Sequence, residues 1–189
     1  MIYSFCRGAL ILIYKALFRL EGKGLEHIPK EGGVLLCSNH ISVLDPPTIG
    51  ILLKRKVHFM AKKELFDIFG FGWLITQLGA FPVKRGGVSK ESIKTSLTIL
   101  RTGKVMGIFP EGSRSGGMGK RGAATFALRS DCAVIPVAIV GNYKLFRKVK
   151  VVYGAPIDLT EFKNGDVPDA AERATEIIMA RINELKAQG

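Results

Sequence analysis

Short, nearly continuous apolar runs alternate along this chain with longer stretches in which apolar residues recur every three or four positions. The runs Val34 to Ser38, Val57 to Ala61, Val105 to Phe109, Val134 to Val140 and Lys148 to Tyr153 are β-branched or alternating, which predicts strands. Ser89 to Arg101 has helical periodicity through Ile93, Leu97 and Leu100, and Gly103 just beyond it suits a helix end. Pro168 to Ala187 predicts an amphipathic helix with Pro168 in its first turn and a buried stripe of Ala174, Ile177, Ile178, Ile182 and Leu185. Apolar strands alternating with helices imply a mainly parallel, twisted sheet covered by helices. The predicted fold is a single α/β domain over 23–189, with an N-terminal amphipathic helix over 1–22. No internal repeat or low-complexity tract divides it.

That first helix is apolar but interrupted by Arg7, Lys15 and Arg19. Its longest uncharged run, Gly8 to Tyr14, is far short of the roughly 20 apolar residues that span a bilayer. At about 100° per residue the three cations share roughly a third of the helical wheel. Tyr3, Phe5, Leu10, Leu12, Ile13 and Leu17 cover much of the rest, with Ile11 and Phe18 intruding on the basic face. Such a helix can lie in a membrane interface or pack on the domain's own core. Peripheral attachment is the expectation, because the net charge of +12, from 28 Lys and Arg against 16 Asp and Glu, calls for a polyanionic partner. Nucleic acid is the less suitable one, because the aromatic residues lie in apolar runs rather than among the basic residues.

Three cysteines, Cys6, Cys37 and Cys132, are scattered in apolar contexts without metal-ligand spacing. They read as reduced thiols of a cytosolic chain, and no zinc motif accompanies them. The segment Leu65 to Ala80 is unusually apolar, with Phe66, Phe69, Trp73, Leu74 and Leu78 prominent. Core packing would explain it, and so would the wall of an acyl-chain groove, where each buried methylene contributes about 0.8 kcal/mol.

Three polar clusters follow strand-like runs. In Ser38-Asn39-His40-Ile41-Ser42-Val43-Leu44-Asp45-Pro46, a histidine and an aspartate stand five positions apart beyond a buried strand. Open α/β sheets place ligand crevices at such strand ends. An imidazole oriented by a carboxylate can take a proton from a hydroxyl there. Equally, Asp45 can cap a helix opening at Pro46-Pro47 while His40 is a satisfied core histidine. In Phe81-Pro82-Val83-Lys84-Arg85-Gly86-Gly87 a basic pair meets glycines that can bring N–H groups to a phosphate, or simply make a surface turn. In Phe109-Pro110-Glu111-Gly112-Ser113-Arg114-Ser115, Glu111 and Arg114 can hold a hydroxyl and a phosphate, or pair with each other. Two motifs fail. The stretch ending at Lys120 has Arg114 where a phosphate loop needs glycine, and Gly112 to Gly116 has arginine where a nucleophile elbow needs serine.

Taken in order, the His40 to Asp45 block, Gly79 to Gly86, Phe109 to Ser115 and Val134 to Ala138 resemble the four blocks of the glycerolipid acyltransferases, and most closely the bacterial 1-acylglycerol-3-phosphate acyltransferases. The resemblance implies that His40 is the general base and Asp45 its orienting residue. It implies that Arg85, Glu111, Gly112, Ser113 and Arg114 hold the acceptor's phosphate, and Lys84 would add positive charge beside them. The strand Val134 to Ala138, with Pro136, would support the acyl-donor side. The acceptor would be lysophosphatidic acid, the donor an acyl-CoA or acyl carrier protein thioester, and the product phosphatidic acid. No metal or organic cofactor is implied, and the place of action would be the cytoplasmic face of the membrane. Direct transfer without an acyl-enzyme follows, since no serine or cysteine nucleophile is needed. Asp45 could still cap the helix with its second oxygen. The chain departs from the family pattern at Lys84, where an acidic residue is frequent, before Lys120-Arg121, where an aromatic is missing, and in its short N-terminal region.

Overall fold

The computed structural model describes residues 2–83, 89–110, 119–163 and 167–189, the side chains of 119–121 excepted. Among the described residues, seven strands make one sheet: β1 (Glu21–Lys23), β2 (Gly33–Ser38), β3 (Val57–Lys62), β4 (Ala80–Val83), β5 (Val105–Ile108), β6 (Cys132–Gly141) and β7 (Val149–Tyr153). Their spatial order is β1-β7-β6-β2-β5-β3-β4. The β6–β7 pair is antiparallel and the other paired neighbours are parallel. The helices are α1 (Ile2–Phe18), α2 (Asp45–Ile51), α3 (Phe71–Gln77), α4 (Lys90–Arg101), α5 (Gly119–Arg129) and α6 (Ala170–Gln188). This is the α/β architecture that the alternating pattern predicts.

The central strand shows why. Every residue of β2, from Gly33 through Ser38, is buried. Val34 and Leu36 point to one face, where they join Tyr14 and Phe18 of α1 and Ile49 of α2. Leu35 and Cys37 point to the other face, among Leu97 and Leu100 of α4, Phe126 of α5, and Ile178 and Ile182 of α6. Two-residue alternation feeds both layers, so neither face of the strand can be polar. Each such aliphatic side chain stabilises the fold by roughly 1.5–3 kcal/mol. Pro136 is tolerated inside β6 because its carbonyl faces β7, accepting from Gly154 N at 2.8 Å, just beyond the last β7 residue, Tyr153. The missing N–H points the same way, past the end of the ladder.

The ends of the helices correct two expectations. Ser89 is the N-cap of α4 rather than its first residue, its hydroxyl accepting from Ser92 N at 3.2 Å. Pro168 precedes α6 instead of occupying its first turn. The helix starts only after Asp169, which holds a left-handed φ of 53°.

Helix α1 has two apolar faces. Tyr14 and Phe18 are buried in the first core layer, with Leu10, Ile11 and Leu17 packed beside them. Phe5, at 78%, and Leu12, at 71%, are exposed together with Ile2 and Ile13. Of the three cations, Lys15 and Arg19 are exposed, whereas Arg7 turns inward and donates to Leu52 O at 3.4 Å. The core-packing reading therefore holds for one side of this helix, and the other side is apolar and exposed. The boundary expected at 22/23 falls within β1, which already belongs to the sheet.

Candidate active site

Strands β2, β3, β5 and β6 run parallel, so their carboxyl ends share one edge of the sheet. At that edge Asn39 directly follows Ser38, the last residue of β2. Its side-chain amide donates to Ile139 O at 3.0 Å and its carbonyl accepts from Ile139 N at 2.7 Å. The side chain thus takes over the ladder from the backbone. The chain is released to turn outward at the next residue, His40.

His40 Nδ1 lies 2.7 Å from Asp45 Oδ2. The His40 side chain is 39% exposed, while Asp45 is wholly buried. The core-histidine reading is therefore excluded. The other two histidines, His27 and His58, meet backbone carbonyls through Nδ1, at 2.9 and 3.2 Å. Among the described contacts, only His40 faces a carboxylate.

Asp45 does not cap α2, contrary to the allowance made for its second oxygen. It is the first residue of that helix, and its Oδ2 also accepts from Ile41 N at 2.6 Å and Ser42 N at 2.7 Å, both in the preceding loop. The reason is local. Pro46 and Pro47 have no N–H to satisfy, Asp45 N already donates to Ser42 O, and Thr48 N to Leu44 O. With few donors left at the helix start, the carboxylate turns back and folds the His40–Leu44 loop around itself. Its other oxygen, Oδ1, accepts from the Tyr143 phenol at 2.7 Å. That hydroxyl also lies 2.9 Å from Thr48 Oγ1. Burial, with Asp45 adding to it against the opposing Thr48 contact, pushes the Tyr143 pKa far above its ordinary value, so it stays a donor.

The imidazole is also held from its face. Phe109 stacks on it with ring centroids 4.1 Å apart and planes 18° from parallel. Phe59 lies beyond Phe109, with a centroid separation of 6.2 Å. Gly107 in β5 makes room for this pile, since a Cβ there would overlap the Phe59 ring. Donation to Asp45 fixes the proton on Nδ1 and leaves Nε2 as the ring nitrogen free to take another. Sequence reasoning did not find Asn39, Tyr143 or the stacking role of Phe109. Phe109 alone had a local signal, as the residue opening the Pro110-Glu111 block.

Lys84, Arg85, Glu111, Gly112, Ser113 and Arg114 lie outside the described residues. The strands leading to them are described: Val83 ends β4 and Ile108 ends β5 at the edge that carries His40. The groove candidates divide. Phe66, Leu74 and Leu78 are half-buried, whereas Trp73 is 58% exposed and Phe69 fully so. With Ile68 and Phe71 also exposed, core packing does not explain the most apolar part of this segment. A cleft of about 570 Å³ between Gly33, Arg101, Arg129 and Lys163 is at the amino edge, away from His40.

The geometry sets a partly exposed, carboxylate-paired imidazole at the carboxyl edge of an open α/β sheet. The family model described as Acyltransferase matches residues 19–140, a span that includes His40, Asp45 and all of β2 to β5. The chain belongs to the acyltransferase family and is an acyltransferase. It is 32% identical over 192 residues to a 1-acyl-sn-glycerol-3-phosphate acyltransferase of Bacillus subtilis (strain 168), covering 97% of this chain and 96% of the relative. It is 33% identical over 175 residues to the protein of the same name from Streptococcus pneumoniae, covering 86% of this chain and 65% of that one. The crystal structure of the 1-acyl-sn-glycerophosphate (LPA) acyltransferase PlsC from Thermotoga maritima superposes with a TM-score of 0.70 and 25% identity. That match covers 98% of this chain and 78% of the other.

Proposed function

We propose that the chain transfers a fatty acyl group from an acyl thioester to the sn-2 hydroxyl of lysophosphatidic acid, giving phosphatidic acid for phospholipid biosynthesis. The observation that carries this reading is the 2.7 Å contact between His40 Nδ1 and buried Asp45, beside a ring left 39% exposed. The relatives that match nearly the whole chain carry that substrate in their names.

The acceptor hydroxyl gives its proton to His40 Nε2 as its oxygen attacks the thioester carbonyl carbon. Asp45 keeps the ring in the required tautomer and balances the imidazolium. Collapse of the tetrahedral intermediate breaks the C–S bond, and the departing thiolate takes the proton from His40. Base assistance supplies about 10²–10⁴-fold, and positioning and oxyanion stabilisation supply the rest. Lys84, Arg85 and Arg114, with Glu111, Gly112 and Ser113, would receive the acceptor's phosphate: the Glu111 to Arg114 block follows β5, the neighbour of β2, and Lys84 and Arg85 follow β4, two strands further along the same edge. Phe66, Phe69, Trp73, Leu74 and Leu78 would meet the acyl chain. The donor is an acyl-CoA or an acyl carrier protein thioester, and the scheme needs no other cofactor.

No helix among the described residues is long and apolar enough to cross a membrane. Attachment would be peripheral, at the cytoplasmic face, through the exposed apolar side of α1 and the surplus of positive charge, with an anionic bilayer as the partner. The test is an acceptor competition with purified protein and a labelled acyl thioester. Lysophosphatidic acid should be converted to phosphatidic acid ahead of glycerol 3-phosphate and other lysophospholipids. Preferential acylation of glycerol 3-phosphate would overturn the assignment.

A further inference from the structure

The loop between β6 and β7 carries a feature that the transfer reaction does not use. At its tip, Leu145 is 64% and Phe146 69% exposed, side by side. Phe146 holds a left-handed φ of 61°, uncommon for a bulky residue. Its N–H is anchored to Leu17 O of α1 at 2.6 Å. An aromatic ring is thus kept in water by a backbone conformation that sterics disfavour.

Charge surrounds this apolar pair. Lys144 and Arg147 are exposed on either side, and Lys148 follows, bound to Glu21 at 2.8 Å. The tip also has a defined position. Because β6 runs parallel to β2, the chain leaves Gly141 at the edge where His40 turns outward. Tyr143, two residues before Leu145, already touches Asp45. Through Phe146 and Leu17 the tip is continuous with α1, whose outer side is apolar as well.

We propose that the Lys144–Lys148 tip is a second membrane-docking element, which inserts Leu145 and Phe146 into an anionic lipid surface beside the catalytic edge. A convex apolar pair flanked by cations matches a bilayer interface, where acyl chains lie below a layer of phosphates. The side chains reach the acyl boundary while Lys144 and Arg147 stay among the headgroups. The inference rests on the peripheral-membrane reading above and adds to it. Docking through α1 alone leaves the orientation of the sheet open, whereas a contact at the tip brings the His40 edge to the lipid in which the acceptor resides.

The experiment is flotation of the full chain with vesicles of phosphatidylglycerol and phosphatidylcholine, and with vesicles of phosphatidylcholine alone. L145S/F146N should lower partition onto the mixed vesicles by at least about tenfold, from the apolar area withdrawn. Asparagine accommodates the left-handed backbone, so the melting temperature should stay near wild type. K144Q/R147Q, which alters only solvent-facing groups, should reduce the preference for anionic over neutral vesicles, by about fivefold per cation. Wild-type partition by L145S/F146N overturns the proposal, and is also the result expected were the tip a site for an acidic protein. F5S/L12S reads the helix separately. If that variant loses partition while the tip variant does not, the peripheral reading stands and this inference falls. If the wild-type chain binds neither vesicle, both fall.

Discussion

Tyr143 donates its phenolic proton to Asp45 across 98 residues of chain, at 2.7 Å, on the carboxylate oxygen that His40 does not use. The residue lies beyond the segment matched by the family model, which ends at 140. It is also packed against Phe18 of α1, edge to face at 5.4 Å, so it joins the first helix to the dyad. Tyr143 is a positioning residue. A hydrogen bond to a charged group contributes about 1.5–3 kcal/mol, so Tyr143→Phe should lower kcat roughly tenfold and reduce the melting temperature. The KM for lysophosphatidic acid should change little, because the Tyr143 hydroxyl is directed at Asp45 and Thr48. Steady-state kinetics with an unchanged kcat would remove it from the mechanism.

His40→Ala should cut turnover by about 10²–10⁴-fold while leaving the melting temperature nearly unchanged, since the ring is partly exposed and its loop is held by Asp45. Asp45→Asn separates charge from shape. Its carbonyl can replace Oδ2 toward His40, Ile41 and Ser42, and its amide can face the Tyr143 oxygen. Because that carbonyl still accepts from Nδ1–H, the variant keeps the tautomer and removes the charge that balances the imidazolium. A folded protein with severely reduced kcat is expected, and retention of more than about a tenth of wild-type kcat would contradict the charge-balancing role.

Gly107 links β5 to the His40 ring through packing. An alanine there meets the Phe59 ring, which lies behind Phe109, which in turn stacks on His40. Overpacking of this kind costs about 1–3 kcal/mol. Gly107→Ala should therefore lose both stability and activity, and adding Phe59→Leu should restore part of each. Denaturant melts and rates on the single and double variants decide it. Additive losses would show that the ring pile does not transmit the change.

A pH effect on stability follows from His58. Burial is the main cause that lowers its pKa, and Lys56 and Lys104 add to it, while the bond to Gly79 O opposes them. A depressed folded-state value means that protonation favours the unfolded chain. The contribution is fully present above the unfolded value of about 6.5 and is lost as pH falls through the folded value. Melting temperatures should drop on acidification below about pH 6.5, and His58→Gln should flatten that part of the curve. An identical slope in the variant would assign the effect to other groups.

Much of this molecule was already decided by residue order. The apolar runs fixed β2, β3, β5, β6 and β7 to within one or two residues, because a strand buried on both faces must be apolar throughout. The His40 and Asp45 pair was legible for a similar reason: the six residues between the end of β2 at Ser38 and the start of α2 at Asp45 leave few ways to arrange them. Sequence left open what Asp45 does, whether His40 is buried and which side of α1 meets the core. Tertiary structure decided these points. Pro46 and Pro47 remove the donors that a cap would serve, so the carboxylate turns to His40, and Tyr143 arrives from a hairpin nearly a hundred residues away. The stacking of Phe109 on His40 depends on β5 lying beside β2, and the pairing of Asn39 with Ile139 on β6 lying on its other side. Local pattern encodes what each segment buries. Contacts between distant segments depend on which strands become neighbours, and that is settled only when both faces of the sheet are covered at once.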